Sequence, residues 1–144
     1  MKITAASDVA APQPRVFAAL IDPEVLRRCI PGCESLTAAG EDVYEATLKI
    51  GVAGLKGTYG GRATIREQKP PDSLTLAFEG KGSPGFVRGA AAIRLSPGDA
   101  GTRVTCDADV QVGGLIAAVG SRLVEAAARK LADDFFRQLA LEMA

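Results

Sequence analysis

The last third of the chain changes its hydrophobic period once, and this change restricts the fold more than any other feature of the sequence. Residues 103–112 alternate polar and apolar side chains, which is the period of a half-buried β-strand. After Gly113 and Gly114, apolar residues recur at steps of three and four, which predicts one long helix from about Leu115 to Ala144. The predicted apolar stripe of this helix comprises Val124, Ala128, Leu131, Phe135 and Leu139. A sheet followed by one long helix, with small residues at the junction, predicts a fold that encloses a binding cavity for an apolar ligand.

Two short helices are predicted near the start of the chain, after a first strand over residues 3–9. Pro12 and Pro14 introduce a helix over residues 15–21, because proline is tolerated in the first turn of a helix. Asp22 is the predicted N-cap of the second helix, which ends before the Pro31–Gly32 turn.

Period-two alternation then predicts a series of antiparallel strands. They cover residues 44–50, 58–67, 73–79, 86–95 and 103–112, with turn-forming residues between them. No linker, repeat or low-complexity tract divides the chain. The sequence therefore predicts a single α+β domain over residues 1–144, with a sheet of about six or seven strands.

The composition excludes several classes of function. The 144 residues include 17 basic and 17 acidic side chains, so the chain has no net charge. It therefore lacks the excess of positive charge that would indicate a nucleic-acid partner. Histidine is absent, which removes the commonest general base and the commonest metal ligand. No apolar run reaches the roughly 18 residues of a membrane span, and the start of the chain lacks the apolar segment of a secretory signal. We expect a cytoplasmic protein.

The cysteines and the paired aspartates of strand 103–112 could suggest a metal site or a catalytic site, but a structural or surface role explains them better. Cys29, Cys33 and Cys106 are an odd number of cysteines in a chain without an export signal, so we expect reduced thiols. The spacing of Cys29 and Cys33 is not that of common zinc or redox motifs, which favours buried thiols over a metal site. Asp107 and Asp109 share one face of a strand, the face opposite the predicted core, and we expect them in solvent. The sequence thus predicts no metal site and no catalytic residues.

The predicted inner face of the sheet has its smallest side chains at its centre. Larger residues lie toward the strand ends. The central positions are Gly61, Ala63, Gly89, Ala91, Cys106 and Ala108, and the end positions are Tyr59, Ile65, Val87, Ile93, Val104 and Val110. Either the helix fills this space closely and the glycines bend the strands, or a ligand occupies it. The pattern leaves both interpretations open.

Four segments of the chain are specific in combination. They are residues 22–34 (DPEVLRRCIPGCE), residues 44–56, residues 78–82 (FEGKG) and residues 112–123 (VGGLIAAVGSRL). Together they resemble the CoxG family of carbon monoxide dehydrogenase subunits, and the likeness covers almost the whole chain. This family belongs to the START-like, or SRPBCC, superfamily. The resemblance implies a helix-grip fold, in which a curved antiparallel sheet encloses a long C-terminal helix and an apolar pocket.

The function that the resemblance implies is a non-catalytic accessory role. Members of the family are associated with molybdenum hydroxylases of the carbon monoxide dehydrogenase type, aiding recruitment of the enzyme to the membrane or electron delivery by binding a quinone. The resemblance implies a quinone- or lipid-like ligand, no tightly bound cofactor, and peripheral association with the inner face of the cell membrane. Some members carry a C-terminal tail for membrane attachment, so we expect this chain either to be trimmed or to rely on a partner. The sequence leaves open whether the protein forms a homodimer.

The candidate ligand-binding residues are the apolar and aromatic side chains expected around the cavity. They are Phe17 and Leu20 from the first helix, Ile30 at the rim, Leu48, Tyr59, Phe78 and Phe86 from the strands, and Leu115, Ile116, Val119 and Leu123 from the C-terminal helix. The Tyr59 hydroxyl either orients the ligand or lies at the surface while the ring fills the core.

Two other functions remain open at this stage. An enzyme of the cyclase or hydrolase type would need an inward carboxylate, whereas the strands place Asp and Glu mainly outward. An assembly factor with a filled core would need no cavity. Phe136 would mark a contact site for a partner if it were exposed.

Overall fold

Seven strands form one curved antiparallel sheet, and helices cover its inner face. The structure is a computed structural model, and it describes all 144 residues. The strands are β1 (Lys2–Val9), β2 (Cys33–Gly40), β3 (Val43–Ile50), β4 (Gly57–Lys69), β5 (Ser73–Gly82), β6 (Gly85–Gly98) and β7 (Gly101–Gly113). The helices are α1 (Gln13–Leu20), α2 (Pro23–Cys29), α3 (Leu115–Ala118) and α4 (Ser121–Met143).

The strand order across the sheet is β1-β7-β6-β5-β4-β3-β2. From β2 to β7 each strand pairs with the next one along the chain, because antiparallel neighbours need only a short turn. Strand β1 instead pairs with β7, with Ile3 opposite Ala108, so the start of the chain joins its last strand. The predicted α+β helix-grip fold, with two short helices after the first strand, is confirmed.

Strand β2 is the one strand that the hydrophobic pattern does not mark. Only Cys33 and Leu36 among its side chains are partly buried, and the others are exposed. The strand lies at the edge of the sheet, and its register with β3 is interrupted twice. An irregular edge strand with little buried surface has no reason to alternate, so its sequence carries no period-two signal.

Helix α2 begins as its sequence predicts, whereas α1 begins at Gln13, two residues before the predicted start at Arg15. Pro14 lies in the first turn of α1, where its missing N–H group costs nothing. The Asp22 carboxylate caps α2 by accepting a hydrogen bond from the Glu24 backbone N–H at 2.9 Å. Both helices bury their apolar sides in the main core, which fixes them against one end of the sheet.

The C-terminal helical region is interrupted, which corrects the prediction of one continuous helix from about Leu115. The short helix α3 ends at Ala118, and α4 begins at Ser121 after a break at Val119 and Gly120. Gly120 has a φ angle of 103°, which is incompatible with helical backbone. The direction of the chain therefore changes between α3 and α4. None of the helices is both long enough and apolar enough to cross a membrane.

Two apolar clusters hold the sheet and helices together. The main core of 19 buried residues joins α1, α2 and the end of α4 to the sheet, and includes Val16, Val104 and Leu139. The smaller cluster, at the other end of the sheet, consists of Leu55, Tyr59, Ile116, Val124 and Ala127. Between the two clusters, the inner face of the sheet carries small side chains such as Ala91 and Cys106.

Candidate apolar ligand site

A cavity of about 310 Å³ lies between the sheet and α4. Of its 27 lining residues, 22 are hydrophobic, and most of them come from the inner face of the sheet and one side of α4. Residues of both apolar clusters line it, including Ile93 and Phe136 from the main core and Leu55 and Tyr59 from the smaller one. The cavity therefore occupies the gap between the two clusters.

The sheet wall of the cavity is made of small side chains, as the sequence predicts. Gly61, Ala63, Ala91, Cys106 and Ala108 all line the cavity. Ala91 and Ala108 are direct partners on β6 and β7, so two methyl groups lie side by side at the middle of the wall. The predicted small centre of the inner face is confirmed.

Gly89 is the one predicted small position that does not line the cavity. A Cβ atom added at Gly89 would lie 2.3 Å from the Asp109 carbonyl oxygen and 3.1 Å from the end of the Phe78 ring. Phe78 is the cross-strand partner of Gly89 and covers it. Here the absence of a side chain lets the end of an aromatic ring approach the strand closely, so close packing and cavity formation both use small residues.

The helix wall comes from α4. It is formed by Ala128, Leu131, Ala132, Phe135 and Phe136. Phe135 and Phe136 contact each other edge to face, with ring centroids 5.0 Å apart. Phe136 is only 4% exposed, so it is a core residue and not an exposed partner contact. Phe135, which the stripe places in the core, is partly buried and lines the cavity.

Tyr59 has neither of the two roles that the sequence leaves open, in which its hydroxyl orients the ligand or lies at the surface. Its side chain is buried, and its hydroxyl donates a hydrogen bond to the Leu55 carbonyl oxygen at 2.7 Å. The hydroxyl is thus neither at the surface nor free of protein partners. Burial raises the pKa of this phenol above its ordinary value, so the group stays protonated as a donor. The Tyr59–Leu55 hydrogen bond holds the turn between β3 and β4 against one end of the cavity.

Four of the candidate ligand-binding residues line the cavity. They are Ile30, Leu48, Tyr59 and Phe78. Phe17 and Leu20 instead belong to the main core, at 3% and 2% exposure, and they contribute to stability at the end of the sheet. The first helix thus packs beside the cavity region without forming its wall.

The candidates near the start of the C-terminal helical region lie elsewhere. Ile116 is buried in the smaller cluster, behind Leu55 and Tyr59. Leu115, Val119 and Leu123 are 71%, 47% and 44% exposed, and none of them lines the cavity. The break at Gly120 explains this, because the prediction assumed one continuous helix.

Phe86 also lies outside the cavity. It is 37% exposed, and the Arg88 guanidinium carbon lies 5.4 Å from the centroid of its ring. Phe86 and the inward residue Val87 are consecutive on β6, so their side chains point to opposite faces of the sheet. Strict alternation along β6 would have assigned Phe86 to the outer face.

Sequence reasoning missed several residues that form the cavity. Among them are Leu131 and Phe135 on α4, and Leu36 and Leu76 on the sheet. The helical stripe contained Leu131 and Phe135, so the signal was present in the sequence. Leu36 gave no signal because its strand shows no alternation.

The cavity wall offers very little polar chemistry. Glu79 is the only carboxylate residue among those that line it, and it is exposed to solvent on the sheet. Asp107 and Asp109 are exposed on the outer face of β7, as predicted. Apart from Tyr59 and the thiols, the one buried polar side chain is Thr102, which donates to the Ala11 carbonyl oxygen in the main core. Such a site recognises shape and apolar surface.

The thiols are held in their neutral form. All three cysteines are free, and Cys29 and Cys106 are buried. Burial raises the pKa of each of these two thiols to about 11. A raised pKa disfavours the thiolate that metal binding and nucleophilic attack require. The buried thiols behave as small apolar side chains, and Cys106 contributes to the cavity wall in this way.

Comparison with solved structures supports the same fold. A conserved protein from Geobacillus kaustophilus is 36% identical, with a TM-score of 0.94 over 99% of this chain and 95% of that chain. A protein from Chromobacterium violaceum is 16% identical, with a TM-score of 0.72 over 99% of this chain and 96% of that one. A protein from Thermus thermophilus is 16% identical, with a TM-score of 0.64 over the full length of both chains. The last two similarities show the fold alone.

Comparison with protein families extends the result from fold to family. No curated protein matches the chain. The profile of the CoxG family of carbon monoxide dehydrogenase subunits matches residues 6–144, which is nearly the whole chain. The chain therefore belongs to the CoxG family of carbon monoxide dehydrogenase subunits.

Proposed function

We propose that this protein is a non-catalytic accessory of a carbon monoxide dehydrogenase-type molybdenum hydroxylase, and that it binds a quinone- or lipid-like ligand in the cavity. In this role it aids recruitment of the enzyme to the membrane or the delivery of electrons. Family membership and fold support the accessory role. The single observation that carries the ligand is the apolar cavity between the sheet and α4.

The size and chemistry of the cavity favour an apolar ring with a short tail. Its volume of about 310 Å³ lies at the lower end of the roughly 300–1,000 Å³ that is usual for ligand sites. Methyl groups and glycine backbone form the centre of the sheet wall, and the aromatic rings of Phe78 on the sheet and Phe135 on the helix line the space. Edge and face contacts with aromatic rings suit a planar quinone head. A long isoprenoid chain would extend beyond the cavity.

The first experiment is native mass spectrometry of the purified protein, followed by organic extraction and identification of any bound molecule. A stoichiometric isoprenoid quinone or lipid is the expected result. A protein that carries no ligand and also fails to bind an added short-chain ubiquinone analogue would contradict the proposal and favour an assembly factor.

A pair of adjacent alanines tests whether the ligand occupies the cavity. Ala91 is 6% exposed and lines the cavity, whereas Ala90 is exposed on the outer face of the same strand. Ala91→Phe should fill the space and reduce quinone affinity at least about tenfold, which corresponds to ~1.4 kcal/mol. Ala90→Phe is the matched control and should bind like the unmodified protein. Equal affinities of both variants would place the ligand elsewhere.

A further inference from the structure

The end of the molecule next to the β3–β4 turn exposes an unusual amount of apolar surface. Leu115 on α3, Val119 in the break and Leu123 at the start of α4 are 71%, 47% and 44% exposed. We call this end the tip, and define it by residues 49–58, 81–88 and 113–123. Phe86, at 37% exposure, adds an aromatic ring to it. Contiguous exposed apolar surface in a folded protein marks a place of contact.

The three segments of the tip form one continuous surface. A Cβ atom added at Gly54 would lie 3.0 Å from Cγ of Leu123, and one added at Gly57 would lie 2.3 Å from Cγ of Pro84. The Ile116 backbone N–H donates a hydrogen bond to the Pro84 carbonyl oxygen at 2.8 Å. The turns of the sheet and the helical segment are therefore packed together, and Leu115, Val119 and Leu123 are presented by a fixed structure.

The charges at the tip are all positive. Five exposed cations lie in or next to it, none of which forms an ion pair: Lys49, Lys56, Lys81, Arg88 and Arg122. No Asp or Glu occurs in residues 46–66, 80–98 or 110–124. The whole chain has no net charge, so this end is basic because its acidic residues lie elsewhere.

Most of the carboxylates closest to these segments are matched by cations outside the tip. Glu125 pairs with Arg129 at 3.1 Å, and Asp109 pairs with Lys2 at 3.1 Å. Glu79 lies opposite Arg62 in one neighbouring strand and Arg88 in the other. Among the tip cations on the strands, Arg88 alone lies opposite a carboxylate, so the tip as a whole keeps a positive charge.

From this combination we infer that the tip is a docking surface for an anionic membrane. Aliphatic side chains on a helical segment, surrounded by unpaired lysine and arginine, are the features that hold a protein at a lipid surface. The lysine stems add apolar area while their ammonium groups reach the headgroups. The inference rests on the proposed function and extends it, because it assigns the membrane contact to a particular surface.

The tip lies next to one end of the cavity, so a membrane contact there would bring the cavity close to the bilayer. Leu55 and Tyr59 line the cavity and pack against Ile116 of α3. The docked surface would thus lie next to the end of the cavity that Leu55 and Tyr59 line. An apolar ligand that lives in a bilayer could pass between membrane and cavity at this end with little exposure to water.

Vesicle binding tests the docking surface. The full chain is mixed with vesicles of phosphatidylcholine and with vesicles that also contain phosphatidylglycerol, and binding is measured by flotation. We expect binding to the anionic vesicles that weakens with salt. The double variant Lys56→Gln/Arg122→Gln should bind about thirtyfold more weakly, since each cation near such a surface contributes about fivefold. Leu115→Ser/Val119→Ser should abolish binding.

Matched controls exist at the opposite end of the molecule. Leu141, near the end of α4, is 63% exposed, so Leu141→Ser removes a similar side chain away from the tip. Lys69 and Arg94 lie opposite Ser73 on β5 at the far end of the sheet, and neither forms an ion pair. Lys69→Gln/Arg94→Gln removes the same charge as the tip variant. Both controls should bind vesicles like the unmodified protein.

The outcomes separate the docking surface from the proposed ligand. Tip variants that bind anionic vesicles as well as the controls do would overturn the docking surface, as would an unmodified protein that binds no vesicles. A concentration-dependent dimer that Leu115→Ser/Val119→Ser makes monomeric, without vesicle binding, would also overturn it and assign the patch to a second copy. Uptake of a short-chain ubiquinone analogue from vesicle-free solution is measured in parallel. If uptake succeeds while docking fails, the proposed ligand function stands, and if docking succeeds while uptake fails, only the ligand function falls.

Discussion

Tyr59 shows how one side chain can serve stability where the sequence suggested recognition. Its hydroxyl is buried and bonded to the Leu55 carbonyl oxygen, so it already has a partner inside the protein. A buried polar group that loses its partner costs free energy, whereas a hydroxyl that faces an empty site does not. Stability and ligand affinity therefore separate the two roles.

We expect Tyr59→Phe to lower the free energy of unfolding by about 1–2 kcal/mol, because the Leu55 carbonyl would lose its donor. Urea denaturation measures this. Tyr44 is partly buried and its hydroxyl has no hydrogen-bond partner in the protein, so Tyr44→Phe is the control and should change stability by less than ~0.5 kcal/mol. A Tyr59→Phe protein with unchanged stability and weakened quinone binding would instead identify the hydroxyl as the ligand's anchor.

At the scale of elements, the break between α3 and α4 determines which residues reach the cavity. The chain leaves helical geometry at Gly120, and α4 starts anew with the Val124 N–H donating to the Gly120 carbonyl oxygen. Gly120 has open space around its Cα hydrogen but a φ angle of 103°. Its need for glycine is conformational and not steric.

Substitution by alanine at two open glycines should have opposite effects. Gly120→Ala should lower the free energy of unfolding by about 1 kcal/mol or more, because alanine rarely adopts a positive φ. A Cβ atom at Gly60, in the middle of β4, would meet nothing within 4 Å, and its φ lies outside the left-handed region. Gly60→Ala should therefore be neutral or stabilise by up to ~1 kcal/mol. Thermal and urea denaturation test both, and equal effects would show that the break is not held by Gly120.

This break also marks the limit of what the sequence predicts. Periodicity located six strands and the small centre of the sheet wall, and prolines and the Asp22 cap located the two short helices, because these are local signals. It placed Leu115, Val119 and Leu123 at the cavity, because apolar spacing does not reveal a change in helix direction. Three glycines, at positions 113, 114 and 120, were the only local indication.

At the scale of the molecule, pH should act on stability through the buried thiols. Cys29 and Cys106 have pKa values of about 11 in the folded protein, against an ordinary value of 9.0, because burial favours the neutral form. Below pH 9 both the folded and the unfolded chain keep these protons. Between pH 9 and about 11 the unfolded chain loses them first, so the free energy of unfolding should fall over this range.

Urea denaturation across this pH range checks the prediction. The variant Cys29→Ala/Cys106→Ala should show a shallower fall than the unmodified protein, although its stability at neutral pH will be lower from lost packing. The slope, and not the absolute stability, is the readout. The same slope in both proteins would mean that other groups, such as the Tyr59 phenol, dominate the titration.

The gap between the two apolar clusters has a consequence for how long the protein survives in a cell. An unfilled apolar space costs ~24 cal/mol per Å³ in core-truncation experiments, so about 310 Å³ amounts to several kcal/mol of forgone stability. A bound ligand would recover part of this and make unfolding rarer. Cellular proteases act on the transiently open chain, so turnover follows its population. The number of copies in the cell should therefore rise and fall with the supply of the ligand, without any change in synthesis.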